Sequence, residues 1–225
     1  MRLRGIPFTD AAKEVDQLVG SVQATVRPKD RSVDKVRSYL NRIWDQSVPD
    51  IGNPYLKNRG ITVKPEVRYV ERLEHFDGAR TVHPAMIACV QSSDGKKIAI
   101  HRTYLTPDGR KANLGTPKKL TQTLSSIAGA AIRLFQHGKI LGVAEGIETA
   151  CAATQLFGIP TWSAISANGI KTFEPPSDVE RLIIFADNDA NQVGQKSAYE
   201  LAARVRIPCE VRIPTDVGTE SPRPH

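Results

Sequence analysis

Apolar residues recur at helical spacing through the first fifty residues, and this pattern predicts two helices. Thr9 or Asp10 is the candidate N-cap of the first helix, and Gly20 is an early stop signal. Its apolar face comprises Val15, Leu18, Val19 and Val22. After a basic stretch, Ser32 is the candidate cap of a second helix that runs to a break at residues 47–49. Its apolar face comprises Val33, Val36, Leu40, Ile43 and Trp44.

The pattern then changes to short strands and turns. The segment NPYLKNRGI predicts a short helix closed by Gly60. Two β-rich runs follow at 85–91 and 97–105, and the Asp94-Gly95 pair between them is a strong hairpin signal. Asp108-Gly109 marks the next turn. The sequence therefore predicts a small antiparallel sheet, rich in Lys, Arg and His, within residues 51–137.

From about residue 138, apolar runs that do not alternate are separated by helical patterns. The runs are KILGVA, IPTWSAIS, RLIIFAD and CEVRIP, and the helical patterns are ETACAATQLF and QKSAYELAARV. Continuous apolar strands between helices indicate a parallel sheet covered on both faces. We therefore expect an α/β domain over 138–225, preceded by a basic α+β part over 51–137 and a helical segment over 1–50.

Composition and charge narrow the class of partner. The 225 residues are 40% hydrophobic and 24% charged, as in an ordinary globular protein, and the formal net charge is +7. A basic chain favours an anionic partner, most commonly nucleic acid. Cys89, Cys151 and Cys209 show no paired spacing, which argues against a zinc ribbon and a disulfide framework. No apolar run is long enough to span a membrane, so we expect a cytoplasmic protein without a membrane partner.

Acidic residues follow two of the predicted parallel strands. Glu145 comes directly after KILGVA, and Asp187 comes directly after RLIIFA. In open α/β sheets, ligands bind beyond the carboxyl ends of the strands. If the backbone stays extended, Asp189 lies on the same side as Asp187, about 6.6 Å away. At this distance two carboxylates repel by about 2.5 kcal/mol at an effective dielectric constant of about 20. Mg²⁺ or Mn²⁺ relieves that repulsion, which predicts a cation site for phosphoryl chemistry.

Each acidic motif has an ordinary structural interpretation. An isolated Asp-x-Asp is most often a solvated turn, and Asp189 or Asn191 is also a candidate cap of the following helix. Glu-Gly after a strand is often only a turn. The two motifs together, in this order and at strand ends, favour the cation site.

VAEGIETACAA, followed by IIFADNDANQVGQ, resembles the Toprim domain, which bacterial-type primases share with type IA and II topoisomerases and some nucleases. The match is most similar to phage- and plasmid-type primases. The resemblance implies that Glu145 is a general acid/base or metal-site residue and that Asp187 and Asp189 are ligands of Mg²⁺ or Mn²⁺, with no zinc. Glu148 is a weaker addition, because relatives carry their acid at the position of Thr149. Two candidates remain for the third acidic motif, Asp216 and Glu220.

The middle of the chain resembles the primase core that precedes Toprim. AMIACVQSSDGKKIAIHRTYL and then TPKKLTQT match a hairpin ending in arginine and a following Pro-Lys-x-Leu element. The resemblance implies that Arg102 and Lys118 contact nucleotide phosphates or template, with His101 and Lys119 as weaker candidates. The implied partners are single-stranded DNA and ribonucleoside triphosphates, with a replicative helicase or a separate zinc-ribbon-containing chain as further candidates.

The leading functional hypothesis is a Mg²⁺-dependent, DNA-templated synthesis of short RNA primers. Two alternatives stay open: a Toprim nuclease, and a non-catalytic module that binds single-stranded nucleic acid. The basic hairpin and the PKKL element argue against the nuclease. The missing zinc ribbon and the undecided third acidic motif favour the binding module.

Overall fold

A computed structural model describes residues 33–49, 54–188 and 192–214. The predicted first helix, Asp189, Asp216 and Glu220 lie outside these ranges. The helices are α1 (Val33–Asp45), α2 (Pro54–Lys57), α3 (Ile147–Phe157), α4 (Ala167–Thr172) and α5 (Val193–Arg204). The strands are β1 (Val48–Pro49), β2 (Arg68–Asp77), β3 (Ala79–Gln91), β4 (Lys97–Tyr104), β5 (Lys118–Leu120), β6 (Ala131–Ile132), β7 (Ile140–Ala144), β8 (Thr161–Ser163), β9 (Arg181–Phe185) and β10 (Cys209–Arg212). None of the helices in the described ranges has the length and apolar character needed to cross a bilayer.

The ten strands in the described part of the chain form a single sheet. Its main path runs β1-β2-β3-β6-β8-β7-β9-β10, and β4 and β5 branch from β3. The short strand β6 joins the antiparallel and parallel parts, because Ile132 pairs with Val90 of β3 and with Ser163 of β8. The predicted antiparallel strands are present, and they continue into the parallel part through β6. Only β6 makes the connection, and a two-residue strand leaves no recognisable pattern in the sequence.

The β2–β3 hairpin is longer than the apolar pattern indicated. β3 begins at Ala79, whereas the predicted run began at residue 85, and β2 was not predicted as a strand. Residues 79–82 of β3 are exposed, and Gly78 turns the hairpin with φ +78°. Apolar alternation detects only the buried part of a strand. The outer part of this hairpin extends beyond the core and carries no such signal.

The two faces of the antiparallel part are covered by different helices. Met86, Ala88 and Val90 of β3 belong to the same buried cluster as Ile147 and Ala150 of α3. The alternate β3 residues Ala85 and Ile87 pack instead in a second cluster with residues of α1, namely Val36, Leu40 and Ile43. Because successive side chains of a strand point to opposite faces, α1 and α3 lie on opposite sides of this sheet.

The parallel part confirms the predicted α/β class. β7 lies between β8 and β9, and all three run parallel, with β10 parallel to β9. One face packs against α3, where Cys151 is fully buried. The other face forms a cluster that includes Ile170 of α4 and Leu201 of α5. The sheet is thus covered on both sides, which explains why its strands are apolar without alternation.

Gly142, in the central strand β7, provides a test of this packing. An added methyl group there would collide with Thr161 Oγ1 and lie 3.0 Å from Phe185 Cε2. We expect Gly142→Ala to lower the free energy of unfolding by about 1–3 kcal/mol through overpacking. Gly138→Ala is the matched control, since nothing lies within 4 Å of the added methyl group. Urea denaturation of both variants measures the difference, and equal stabilities would contradict the placement of β7 against β8.

Candidate active site

Two acidic residues lie at the carboxyl ends of neighbouring parallel strands. Glu145 directly follows β7, and Asp187 comes two residues after β9. Because Ala144 and Phe185 are register partners, the two strands end at the same edge of the sheet. Both acidic residues are half-buried. This edge is where ligands bind in open α/β sheets, as the sequence analysis expected.

The backbone of Glu145 is held from the neighbouring strand. Its carbonyl oxygen accepts hydrogen bonds from Ser163 Oγ (2.7 Å) and from the Ile165 N–H (2.8 Å). Ile165 has φ +76°, a left-handed conformation that is strained for a β-branched residue. Such strain persists only where the surroundings enforce it, and it is found disproportionately at functional sites. The turn after β8 thus helps to fix the start of the loop that carries Glu145.

The loop after β9 is held by α5 and by the segment that follows β10. The Asn188 amide donates a hydrogen bond to the Pro214 carbonyl oxygen (2.9 Å) and accepts one from Gln195 Nε2 (2.8 Å). Gly194 lies against the Asp187 backbone, since an added methyl group would come within 3.1 Å of the Asp187 carbonyl oxygen. A methyl group there would require the Asp187 backbone to shift by a few tenths of an ångström, so the close approach favours glycine.

Glu148, in the first turn of α3, is the centre of a buried polar network. Lys118 Nζ lies 2.9 Å from Glu148 Oε1 and 3.0 Å from Oε2, and the Tyr55 hydroxyl donates to Oε1 at 2.5 Å. The glutamate side chain is 8% exposed. A methyl group on Gly146 would lie 3.3 Å from Glu148 Oε2, so the carboxylate is beside the Glu145–Gly146 turn. The structure thus brings Lys118 and Glu148 together next to Glu145.

The charges in this network favour one protonation state near neutral pH. Burial acts to raise the pKa of Glu148, but the Lys118 charge and the hydrogen bonds from Tyr55 and Lys118 outweigh it and lower that pKa to about 2. Burial, and then the Glu148 charge, raise the pKa of Tyr55. Burial, followed by the Lys118 charge, lowers the pKa of His101 to about 4. Glu148 is therefore ionised, while Tyr55 and His101 are neutral.

The four basic candidates from the sequence divide between the two faces of the sheet. Thr103 pairs with Lys118, and Arg102 pairs with Lys119, so Lys118 and Lys119 point to opposite sides. Lys118 points towards α3. Arg102 donates to the hydroxyl of Tyr39 in α1 (3.2 Å), and Lys119 donates to the Phe76 carbonyl oxygen.

His101 lies on the Lys118 face, and its Nδ1 is a buried atom without a hydrogen-bond partner. The sequence analysis grouped the four candidates without regard to this division. They do not form one cluster in the structure.

A basic cleft borders the network at Tyr55. Its volume is about 650 Å³, and it is lined by Tyr55, Asn58, Arg59, Asp108, Arg110 and Lys111. The turn containing Gly109 reaches α2, because Asn58 Nδ2 donates to the Asp108 carbonyl oxygen (3.0 Å). No short motif indicates this cleft, because Asn58 and Asp108 are fifty residues apart.

The acidic side chains at this edge supply part of a ligand set for a hard cation. Mg²⁺ in proteins is typically held by one or two carboxylates, together with waters and substrate phosphates. Glu145 and Asp187 supply two such carboxylates at one edge of the sheet. Residues 33–49, 54–188 and 192–214 contain no group of three or more His, Cys, Asp or Glu side chains placed to hold a metal ion.

Family models match both parts of the chain. Residues 140–212 match the model of the Toprim domain. These residues form a Toprim domain. Residues 34–134, upstream of the Toprim domain, match a model described as a domain of unknown function, DUF7146. No protein with curated annotation matches the chain in sequence.

Primase structures are among the solved structures to which this chain is similar. The DnaG catalytic core is 13% identical with a TM-score of 0.55, over 84% of this chain and 74% of that chain. The Aquifex aeolicus primase, with its zinc-binding and RNA polymerase domains, is 13% identical with a TM-score of 0.51, over 94% and 62%. The primase fragment of the bacteriophage T7 primase-helicase protein is 18% identical with a TM-score of 0.46, over 77% and 64%. This chain thus spans less than two thirds of the T7 and Aquifex chains. The Toprim-domain protein shares the primase-core fold.

The buried Glu148 carboxylate predicts a specific loss of stability in acid. Because its folded pKa is about 2 and its ordinary value is 4.5, its contribution is complete above pH 5 and is lost as the pH falls towards 2. A shift of this size corresponds to about 3 kcal/mol. We therefore expect the difference in unfolding free energy between wild type and Glu148→Gln to shrink by about 2–3 kcal/mol between pH 6 and pH 2.5, since pH 2.5 is still above the folded pKa. Urea denaturation across this range measures it.

Glu66→Gln, at an exposed glutamate, is the matched control and should follow the wild type throughout. A constant difference between Glu148→Gln and wild type across the same range would contradict the buried ion pair.

Proposed function

We propose that this Toprim-domain protein is a primase-type nucleotidyltransferase core that joins ribonucleotides on a single-stranded DNA template. The observation that carries the proposal is the meeting of Glu145 and Asp187 at one sheet edge with the Lys118–Glu148 ion pair beside Glu145. Acidic oxygens next to a lysine suit a reaction in which phosphates must be held and negative charge accumulates. The shared fold supports the same reaction class.

In this reaction the 3′-oxygen of one nucleotide attacks the α-phosphate of the next. The hydroxyl proton is lost, a phosphorus–oxygen bond forms, and the bond to the leaving pyrophosphate breaks. We assign Glu145 and Asp187 to hold Mg²⁺, with Asp189 as a third ligand and Asp216 or Glu220 as a further one. When bound, the ion offsets charge on the phosphate oxygens. Glu145 is also the candidate group to take the hydroxyl proton.

We assign Lys118 to the incoming triphosphate. Its side chain is 38% exposed, although Glu148 holds its ammonium group. An ammonium group acts on phosphate as a point charge with rotatable donors, and a buried carboxylate behind it fixes its position. Arg59 and Lys111 extend the positive field along the cleft, where Arg110 is paired with Asp108, and we place the template or the triphosphate there.

The likeness to larger proteins suggests partners. One structure with this fold carries a zinc-binding domain, and another is a fragment of a primase-helicase. We propose that this chain works with a replicative helicase or with a separate chain that supplies a zinc ribbon for template recognition.

Charge-neutral substitutions of the acidic residues test the reaction. With a single-stranded DNA template, labelled ribonucleotides and Mg²⁺, we expect Asp187→Asn and Glu145→Gln each to lower primer synthesis by about 100-fold or more, since both remove stabilisation made in the transition state. A chelator should abolish the wild-type activity. Glu180→Gln is the control, because Glu180 is a surface partner of Lys139 and should leave activity unchanged.

Two results would contradict this function. Metal-dependent nicking of DNA in the absence of nucleotides indicates a Toprim nuclease. Salt-sensitive binding of single strands that is indifferent to metal, without synthesis, indicates a non-catalytic module.

The division of the basic residues between two faces gives a second test. Replacing Lys118 alone would leave a buried charge, so Lys118→Gln is combined with Glu148→Gln. We expect the double variant to raise the KM for ribonucleotides by about tenfold or more, through loss of a phosphate contact. Arg102→Gln, on the α1 face, should change that KM by less than about twofold. Steady-state kinetics with folded protein, checked by circular dichroism, measures both. If Arg102→Gln raised the KM as much as the double variant does, this result would contradict the assignment of Lys118 to the triphosphate.

A further inference from the structure

A second, smaller cleft lies on the α1 side of the sheet, away from the Lys118–Glu148 pair. Its volume is about 250 Å³. Its lining comprises Arg37, Leu40, Asn41, Trp44, Cys89, Lys97, Ala99, Ile100 and Leu124. Leu40, Ala99 and Ile100 are buried core residues, whereas Arg37 and Lys97 are exposed. The cleft therefore has an apolar floor and a cationic rim, and none of its lining residues is acidic.

Two cationic side chains lie against the Trp44 ring at this cleft. Lys97 Nζ lies 4.6 Å from the centroid of the indole ring, and the Arg68 guanidinium carbon lies 4.8 Å from it. Arg68 is fixed in place, because its Nε and Nη2 donate to Ser47 Oγ and to the Ser47 carbonyl oxygen, both at 2.5 Å. Cation–π contact offsets part of the repulsion between these cations. An anion bound at the rim would offset more of it.

We propose that this cleft binds an acidic peptide segment of a partner protein, with one apolar side chain inserted against Trp44. The carboxylates of the segment would pair with Arg37 and Lys97, and the apolar side chain would fill the floor formed by Leu40, Ile100 and Leu124. An apolar anchor in a pocket with charged contacts around it is the usual arrangement of a short peptide site. The volume suits a single large side chain rather than an extended groove.

Charge and shape favour a peptide over nucleic acid. Non-specific single-strand binding relies on aromatic rings to which bases have free access. Here Lys97 and Arg68 already contact the indole ring. Asn41 is the one amide side chain in the lining that is able to read the edge of a base. The apolar floor is suited to an aliphatic or aromatic side chain. The proposal goes beyond nucleotidyl transfer and does not depend on it, since the cleft is on the opposite face from Lys118.

Trp44 is itself the reporter for the test. The chain has two tryptophans, and Trp162 is only 2% exposed, so a ligand at the surface acts on the fluorescence of Trp44. The probe is a synthetic peptide with one Phe flanked by Asp residues, titrated into the full chain. We expect a saturable change in tryptophan fluorescence, absent in Trp44→Phe and absent with a peptide in which Ser replaces the Phe.

Calorimetry with variants separates this site from general charge attraction. Arg37→Glu and Lys97→Glu should each weaken the peptide by about tenfold or more, as loss of a charged contact at an anchor site does. Lys64→Glu makes the same change of charge at an exposed lysine outside the cleft, and it should bind like the wild type.

Three results would overturn the proposal. One is the absence of a saturable signal with the Asp/Phe peptide. Another is equal weakening in Lys64→Glu, which would show only an effect of net charge. The third is a larger Trp44 signal with oligodeoxythymidylate that is lost in the Arg37 and Lys97 variants, which would make the cleft a nucleic-acid surface. The Asp187→Asn variant, which should lose primer synthesis, should bind the peptide like the wild type in both the fluorescence and the calorimetric measurements.

Discussion

The buried carboxylate of Glu148 is the interaction on which the arrangement of the site depends. Its ion pair with Lys118 and its hydrogen bond from Tyr55 join α3 of the Toprim domain to β5 and α2 of the upstream part. A buried carboxylate without partners would cost several kcal/mol, so the three segments are held to one relative placement. The two parts also share a sheet through β6 and hydrogen bonds that join Gln155 of α3 to Gly60 and Thr62, and the Glu148 contact adds a charged connection beside the Glu145–Gly146 turn. The proposed phosphate lysine is positioned by the same contact that makes the domain junction specific.

Much of the Toprim half follows from local sequence. The segments KILGVA and RLIIFA are continuous apolar runs, as expected for buried parallel strands. The residues that directly follow such a strand lie at the carboxyl edge of the sheet. That rule places Glu145 and Asp187 correctly from the sequence, because the distance along the chain from strand to acid is one or two residues. The rule also fails for Glu148, whose position inside α3 gives no sign that it is buried.

Contacts between distant residues account for what the sequence did not reveal. Glu148 and Lys118 are separated by 30 positions, and Glu148 and Tyr55 by 93. The register of β4 against β5 determines which face of the sheet Lys118 and Lys119 each lie on. Three residue pairs define that register, and no short motif encodes it. A lysine pair in sequence therefore looks like one basic patch, whereas strand alternation sends its members to opposite faces. The long β2–β3 hairpin escaped detection for a different reason, since its outer residues are solvated.

The two faces of the antiparallel part allow different chemistry. On the α3 face, the ammonium group of Lys118 is held by a buried carboxylate, and the lysine side chain is 38% exposed. On the α1 face, Arg102 donates to Tyr39, Tyr104 and the Leu120 carbonyl oxygen, and those hydrogen bonds commit its guanidinium to packing α1 against the sheet. The cations beside Trp44 lie farther along that face over an apolar floor. A ligand there would meet a surface distinct from the sheet edge. The sheet therefore separates a proposed site for phosphates from a proposed site for a protein partner, and each is open to substitution without disturbing the other.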